Sequence, residues 1–282
     1  MLTKVEVINS QGDILELPLE EMTNGFLLQG MEGLDPVKAT LVSSSFANLD
    51  GAQYHSSRRE QRNIKLQLGF EPDYVTSSIR VLRNRLYKFF MPKTEVTIRF
   101  HTLDEFDSNI ISRNNLVEIV ARIESFESAL FTKVPAVDIS FVCFDPDFIN
   151  PVPTVNSGLS TAGLGESVIN YAGTVENGLT FTISPTRTVD SFTIYHRPSD
   201  GTLRTLDYTS PLLSGDVLKI NTVVGAKSVI RTRAGVNSSL LYAMSPQSNW
   251  LELQPGDNNV RVYATGDAVP YDLTHIAKYG GL

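Results

Sequence analysis

Apolar and polar residues alternate along much of the first half of the chain. Because successive side chains of a β-strand point to opposite faces, this period of two predicts strands with one buried and one solvent-exposed face. The first two alternating segments flank turn residues at 10–13 and so predict a hairpin. The alternating segments lie at residues 5–7, 15–19, 64–70, 96–100, 117–123 and 137–143.

One segment follows a helical period instead. Its apolar residues are Ile79, Leu82, Leu86 and Phe89. Their spacing of three or four positions is that of one face of an α-helix. Asp73, Thr76 or Ser77 can cap the first turn, and Pro92 ends the helix because proline cannot continue it. The first half is therefore predicted to be mostly β with one amphipathic helix.

The second half contains only short alternating runs, which are separated by turn signals. Dipeptides such as Asn177-Gly178 and Asp200-Gly201 favour tight connections. Many short strands at this spacing predict an antiparallel β-sandwich. The runs lie at residues 179–183, 192–194, 217–219, 229–231 and 260–262.

A proline-rich segment separates the two halves. Three prolines between positions 146 and 153 favour extended backbone and cannot donate to a sheet, so residues 149–155 are predicted to be a stiff linker. The charge also changes there. Residues 1–148 hold 15 Lys and Arg against 21 Asp and Glu, a balance of −6, whereas residues 149–282 hold 9 against 10, a balance of −1. We predict a first domain over 1–148 and a second over 156–282.

Composition narrows the functional classes. The chain has 282 residues, 41% hydrophobic and 20% charged, which is enough apolar material for packed cores. No apolar run reaches the roughly 18 residues of a membrane helix, so membrane insertion is not expected. The single cysteine, Cys143, excludes a disulfide framework and a cysteine-rich zinc site within the chain. With a net charge of −7, tight nucleic-acid binding is not expected either.

Catalytic and nucleotide-binding motifs are absent from the sequence. It contains no Gly-x-Ser-x-Gly, no Gly-Lys pair of a P-loop and no His-Glu-x-x-His. We therefore predict no catalytic residues, no cofactor and no metal. Asp104, Glu105 and Asp107 are carboxylates of the kind that a glycoside hydrolase needs, although a solvated acidic loop is the default interpretation.

Two groups of residues suggest binding surfaces. Arg58, Arg59 and Arg62 precede a predicted strand, and they favour a protein–protein surface over a nucleic-acid one because the surrounding domain is net acidic. Trp250 and Tyr242 have the ring faces that a sugar-stacking platform needs. A lone tryptophan beside leucines is also typical of a core anchor, so both interpretations of Trp250 stay open.

The order of these features resembles the distal tail protein (Dit) family of long-tailed bacteriophages over nearly the whole chain. In the first half the resemblance is carried by the hairpin, by Gly30-Met-Glu-Gly33-Leu34-Asp35, by Gly51-Ala-Gln-Tyr54, by residues 62–68 and by the helix at 75–90. In the second half it is carried by residues 173–183, residues 214–221 and Trp250-Leu-Glu-Leu253-x-Pro255-Gly256-x-Asn258. The acidic stretch at 104–115 and the polar run around Asn156 depart from the family's pattern.

The resemblance implies a structural role in the virion, at the tail tip or baseplate. It implies a tail-tube-like β-barrel or sandwich with one α-helix at the N-terminus, and a galectin-like or carbohydrate-module-like β-sandwich at the C-terminus. Six copies would close into a ring that joins the tail tube protein to the baseplate hub. DNA would pass through the channel without tight binding.

The same resemblance implies further partners and a place of assembly. The C-terminal domain would point outward as a docking platform for side fibres or receptor-binding proteins, and the particle would be assembled in the host cytoplasm. Arg58, Arg59 and Arg62 are then the predicted ring interface. The alternative hypothesis is a carbohydrate-binding module of a viral or surface adhesin, with Trp250 and Tyr242 as its platform.

Overall fold

The computed structural model of the chain describes residues 2–19, 24–46, 50–75, 77–104, 113–129 and 135–282. It divides into two compact units. Unit 1 comprises Met1–Pro151 together with Gly280–Leu282, and unit 2 comprises Val152–Tyr279. Residues 280–282 therefore belong to the first unit, although the sequence pattern places them in the second half.

Over its described residues, unit 1 is built from antiparallel strands and one α-helix. Its elements are β1 Leu2–Asn9, β2 Ile14–Pro18, β3 Phe26–Glu32, β4 Ala39–Ser44, β5 Gln53–Arg59, β6 Arg62–Phe70, α1 Ile79–Tyr87, β7 Glu95–Asp104, β8 Arg113–Ala129, β9 Ala136–Cys143 and β10 Phe148–Ile149. The main sheet has the order β2-β1-β7-β8-β9-β6-β3, and β10 pairs with β8. A register shift between Ile123 and Ser125 marks a bulge in the 17-residue β8. A bulge of this kind increases the local twist of a strand.

The alternation in the sequence determines which side of each strand is buried. On β6, Ile64, Leu66 and Leu68 are at most 2% exposed, whereas Lys65 and Gln67 between them are exposed. Burial of each such aliphatic side chain contributes about 1.5–3 kcal/mol relative to leaving it in water. The inner side of the sheet is therefore the core of unit 1.

Helix α1 covers part of this core. Leu82 and Leu86 are 4% and 0% exposed, as the helical period predicted. Immediately after the helix, the ring of Phe90 contacts that of Phe141 on β9, edge to face, with their centroids 5.8 Å apart. The helix thus packs on the inner side of β9.

The start of the helix differs in detail from the sequence prediction. Ser78 is the cap, because its side-chain oxygen accepts a hydrogen bond from the backbone N–H of Val81 at 3.4 Å. Asp73 instead organises the preceding turn, where its carboxylate accepts from the backbone N–H of Ser77 at 3.1 Å. Thr76, another predicted cap, lies outside the described residues.

Unit 2 is an antiparallel β-sandwich. Its strands are β11 Thr154–Leu159, β12 Ser167–Tyr171, β13 Asn177–Ile183, β14 Phe192–Arg197, β15 Arg204–Tyr208, β16 Val217–Asn221, β17 Ser228–Arg233, β18 Val236–Ser239, β19 Glu252–Leu253, β20 Gly256–Tyr263, β21 Pro270–His275 and β22 Lys278–Tyr279. One sheet has the order β11-β21-β13-β16-β17-β18, with β19 paired to β13, and the other has the order β12-β20-β14-β15. A single cluster of buried side chains, which includes Phe181, Phe192 and Tyr208, fills the interior. The prediction of a mostly β chain with one α-helix is confirmed for the part of the chain that the structure describes.

Candidate assembly surface

Strands β4 and β5 form a hairpin outside the main sheet of unit 1. They pair with each other and make a separate two-stranded sheet. All seven residues of β5 are exposed, and β4 contains no buried residue. An isolated two-stranded hairpin is at best marginally stable in water. The hairpin is therefore the first candidate for contact with another molecule.

The hairpin presents large apolar side chains to solvent. Leu41 is 67% exposed and Tyr54 is 60% exposed. The Tyr54 hydroxyl donates to the Ser57 hydroxyl at 2.8 Å, and Ser57 lies opposite Leu41 in the pairing register. Leu41 and Tyr54 thus share one side of the hairpin. Exposed apolar patches of this kind mark interaction sites on proteins.

Of the three predicted interface arginines, two lie at the end of the hairpin. Arg59 donates two hydrogen bonds to the carboxylate of Asp147, one of them from Nη2 to Oδ2 at 2.9 Å. Its side chain is still 42% exposed, whereas that of Asp147 is 4% exposed. Arg58 is exposed and lies opposite Thr40 in the register. Both arginines present surface that another chain can reach, and their role at an interface stays a prediction.

Arg62 is not on the surface. It is 1% exposed, and its guanidinium donates to the backbone carbonyls of Gly33 at 2.6 Å, Asp35 at 2.7 Å, Pro146 at 2.7 Å and Gly280 at 2.7 Å. Burial lowers the pKa of Arg62 from its ordinary value. Because the side chain is fully enclosed within its own unit, we remove Arg62 from the predicted ring interface.

The two predicted sugar-stacking residues have different environments. Trp250 is partly buried against the core of unit 2, and the ammonium of Lys227 lies 5.4 Å from the centre of its ring. Tyr242 is 79% exposed on a 3₁₀ turn formed by Leu241–Ala243. Most of the Tyr242 ring is therefore free to contact a ligand, while Trp250 has a packing role in addition to any binding role.

The described chain offers little for metal or nucleophilic chemistry. Within its described ranges, it contains no group of three or more His, Cys, Asp or Glu side chains that could hold a metal ion. Cys143 is 0% exposed, and burial raises the pKa of its thiol to about 12. It is therefore protonated and unreactive at neutral pH. Glu105, Asp107 and the side chain of Asp104 lie outside the described residues, and the hypothesis of a glycoside hydrolase stays untested.

Over the same described ranges, the structure has no helix with the length and apolar composition needed to cross a membrane.

Comparison with known proteins decides the family. Residues 19–143 match the family model described as a phage tail protein RIFT-related domain, and residues 172–279 match that of the siphovirus-type tail component, C-terminal domain. The chain belongs to the siphovirus distal tail protein family. As a member of this family it is a structural component of the phage tail and of the virion.

A solved structure supports the fold assignment. The crystal structure of the Dit protein of bacteriophage SPP1 is similar to this chain, with a TM-score of 0.65 and 15% sequence identity. The match extends over 96% of this chain and 98% of the SPP1 chain. A chain of the phage P2 baseplate in its activated conformation with calcium matches over the full length of both proteins, with a TM-score of 0.46 and 10% identity. No match was found among curated proteins. The predicted distal-tail-protein fold is confirmed.

Proposed function

We propose that the chain forms a homo-hexameric ring that joins the tail tube protein to the baseplate hub. The observation that carries this proposal is the exposed β4–β5 hairpin, with Leu41 67% and Tyr54 60% exposed. In a closed ring of identical copies, every hairpin meets an equivalent surface of the next copy, so that no apolar patch is left uncovered. Family membership supports the place of this ring in the tail.

Charge supports a role for the ring as a DNA channel. Six chains of net charge −7 carry a formal charge of −42. Carboxylates that face a channel repel phosphates, so DNA passes without being held. In this proposal unit 2 serves as a docking platform for side fibres or receptor-binding proteins, and the ring assembles in the host cytoplasm.

The mass of the purified full chain tests the ring. Light scattering and negative-stain imaging over a range of concentrations should show hexamers or multiples of them. The double variant Leu41→Ser with Tyr54→Ser should shift the population toward monomers, because it removes apolar area from the hairpin. Leu164→Ser is the matched control, since Leu164 is 85% exposed in unit 2 and should leave the mass unchanged. Monomers of the unchanged chain at every concentration would contradict the proposal.

A second candidate function is carbohydrate binding by unit 2. The observation that favours it is Tyr242, whose ring is 79% exposed and able to stack on a sugar face. Glycan-array binding by the full chain that is lost in Tyr242→Ala, and unchanged in Leu241→Ala beside it, would support this function. Absence of any bound glycan would exclude it.

A further inference from the structure

Two surfaces of unit 1 carry opposite net charge, and several of their charged side chains have no ion-pair partner within the described chain. The first is the solvent face of α1, which we call the cation face and define by Arg80, Arg85 and Lys88. The second is a groove of about 600 Å³ on the outer side of the main sheet, which we call the acidic groove. Its charged lining residues are Glu32, Glu127, Asp138 and Lys65.

The cation face follows from the helical period. Positions 80, 81, 84, 85 and 88 fall within one continuous stretch of the helix surface, opposite the buried Leu82 and Leu86. The helix itself contains three arginines and no carboxylate. Arg80 lies in the first turn, where the helix dipole disfavours a cation. This placement costs stability in the isolated chain and becomes useful when an anionic surface covers the helix.

Like charges in the acidic groove also lower the stability of the isolated chain. Glu127 on β8 lies directly opposite Asp138 on β9 in the pairing register, and both side chains are exposed. Like charges in directly opposite positions of an antiparallel pair destabilise it. The nearby Glu124 adds a further carboxylate, which accepts a hydrogen bond from Ser140 at 2.9 Å. Cations from another molecule would relieve this repulsion.

Several other charges of unit 1 are paired within the unit. The ion pairs are Lys4 with Glu6, Arg99 with Glu118, Arg122 with Glu95 and Arg59 with Asp147. By contrast, no ion pair within the described ranges involves Arg80, Lys88, Glu127 or Asp138. These four unpaired charges lie on the cation face and in the acidic groove, with the cations on one surface and the carboxylates on the other.

The two surfaces lie on opposite sides of the same strand. Phe90, at the end of the helix, contacts Phe141 on the inner side of β9. Asp138 and Ser140, which line the groove, alternate with the buried residues of β9 and so lie on its outer side. Because the sheet separates them, the cation face and the acidic groove cannot meet within one chain. A contact between copies that uses both is heterologous, which is the type that closes rings.

We propose that the cation face of one copy docks on the acidic groove of the next copy in the ring. This inference rests on the proposed hexamer and names a contact within it. The occupant is a second copy of the chain because the complementary charges occur together in each copy. Electrostatic complementarity of this kind sets the register of a contact and makes it sensitive to salt.

Charge reversal in the full chain tests the contact. The helix variant is Arg80→Glu with Lys88→Glu, and the groove variant is Glu127→Lys with Asp138→Lys. Each alone should raise the concentration needed for half-assembly about tenfold or more, and their combination should restore it to within about threefold. The control with the same charge change as the helix variant is Lys219→Glu with Lys227→Glu in unit 2, which should leave assembly unchanged. Circular dichroism confirms that each variant is folded.

The possible results distinguish failure of the proposed contact from failure of the proposed ring. Loss of assembly in each single-surface variant, with recovery in the combination, supports the contact. Hexamers that neither variant weakens would leave the ring intact and overturn the contact. Weakening without recovery in the combination would show that the two surfaces do not face each other, which also overturns it. An unchanged chain that stays monomeric would overturn both the ring and the contact.

Discussion

The guanidinium of Arg62 lies 4.3 Å from the centre of the Phe148 ring, in the interior of unit 1. A buried cation loses its hydration, and here the ring face and four backbone carbonyls replace the lost water. Those carbonyls belong to three segments that are distant in sequence, at 33–35, 146 and 280. Arg62 therefore joins these segments to β6.

Replacement of this side chain should destabilise unit 1 strongly. Arg62→Met should cost about 3–5 kcal/mol, because four backbone carbonyls lose their donor. The free energy of unfolding of Arg62→Lys should lie between those of Arg62→Met and the unchanged chain, since an ammonium lacks the planar fork that reaches several acceptors. Hydrogen exchange of the β6 and β9 amides measures the effect. The exposed Arg58→Met is the control and should change stability by less than about 0.5 kcal/mol. Equal protection in Arg62→Met and the unchanged chain would refute this role.

Arg62 also shows where sequence reasoning fails. The alternation that places Ile64, Leu66 and Leu68 inside also places Arg62 inside, two positions earlier. Its charge and its position after Arg58 and Arg59 favoured the surface instead. The period of the strand decided the outcome, because the backbone carbonyls of neighbouring segments provide enough acceptors to bury a guanidinium. A charged residue in phase with an apolar alternation is thus a signal for an internal hydrogen-bonding role.

Two other features of the fold could not be predicted, because the sequence contains no pattern that indicates them. Most residues of the β4–β5 hairpin are exposed, so its sequence has no alternation of apolar and polar positions that a pattern could detect. Residues 280–282 contact the rest of unit 1 through backbone groups, as in the hydrogen bond from Leu282 N–H to the Leu34 carbonyl at 3.1 Å. Backbone contacts leave no mark on side-chain periodicity. By contrast, the buried strands and α1 were predictable because one face of each is apolar.

The buried face of α1 should contribute to the stability of unit 1. Leu86 is 0% exposed, so Leu86→Ala should lower the free energy of unfolding by about 2–5 kcal/mol. The matched control is Val81→Ala on the same helix, where Val81 is 56% exposed and the cost should be below about 1 kcal/mol. The rate at which the buried Cys143 thiol reacts with a labelling reagent reports unfolding of this unit. Equal labelling rates for the two variants would show that the helix is not part of the core.

The chain should not bind DNA tightly. Its net charge is −7, and the cationic residues of α1 lie in a unit whose sequence, over residues 1–148, has a balance of −6. Binding by counterion release needs a surface that is cationic overall. Fluorescence anisotropy with random duplex DNA at about 150 mM salt should show no submicromolar binding. Tight binding that Arg80→Glu with Lys88→Glu abolishes would identify the cation face as a DNA site and contradict both this prediction and the proposed contact between copies.

Two buried histidines should make unit 2 sensitive to acid. His196 is 0% exposed and His275 is 4% exposed, and the Nδ1 atom of each is buried without a hydrogen-bond partner in the described chain. Burial lowers the pKa of both rings below the ordinary value of 6.5, although the hydrogen bond between His196 and Asn258 partly opposes the effect. Both imidazoles are therefore neutral in the folded state at pH values where the unfolded chain already binds protons.

The sign of the pH dependence follows from these shifts. Above about pH 7.5 neither state is protonated and the two histidines do not affect stability. As the pH falls through 6.5, the unfolded state gains protons before the folded state does, so the free energy of unfolding decreases. The decrease is up to about 1.4 kcal/mol per pH unit for each histidine, and it ends when the pH reaches the lowered pKa of the folded state. Denaturant titrations followed by fluorescence of Trp250, the single tryptophan, measure this loss for unit 2. The double variant His196→Gln with His275→Gln should show a flatter pH profile, whereas His55→Gln, on the exposed hairpin, should retain the slope of the unchanged chain. A double variant with an unaltered slope would assign the acid sensitivity to carboxylates instead.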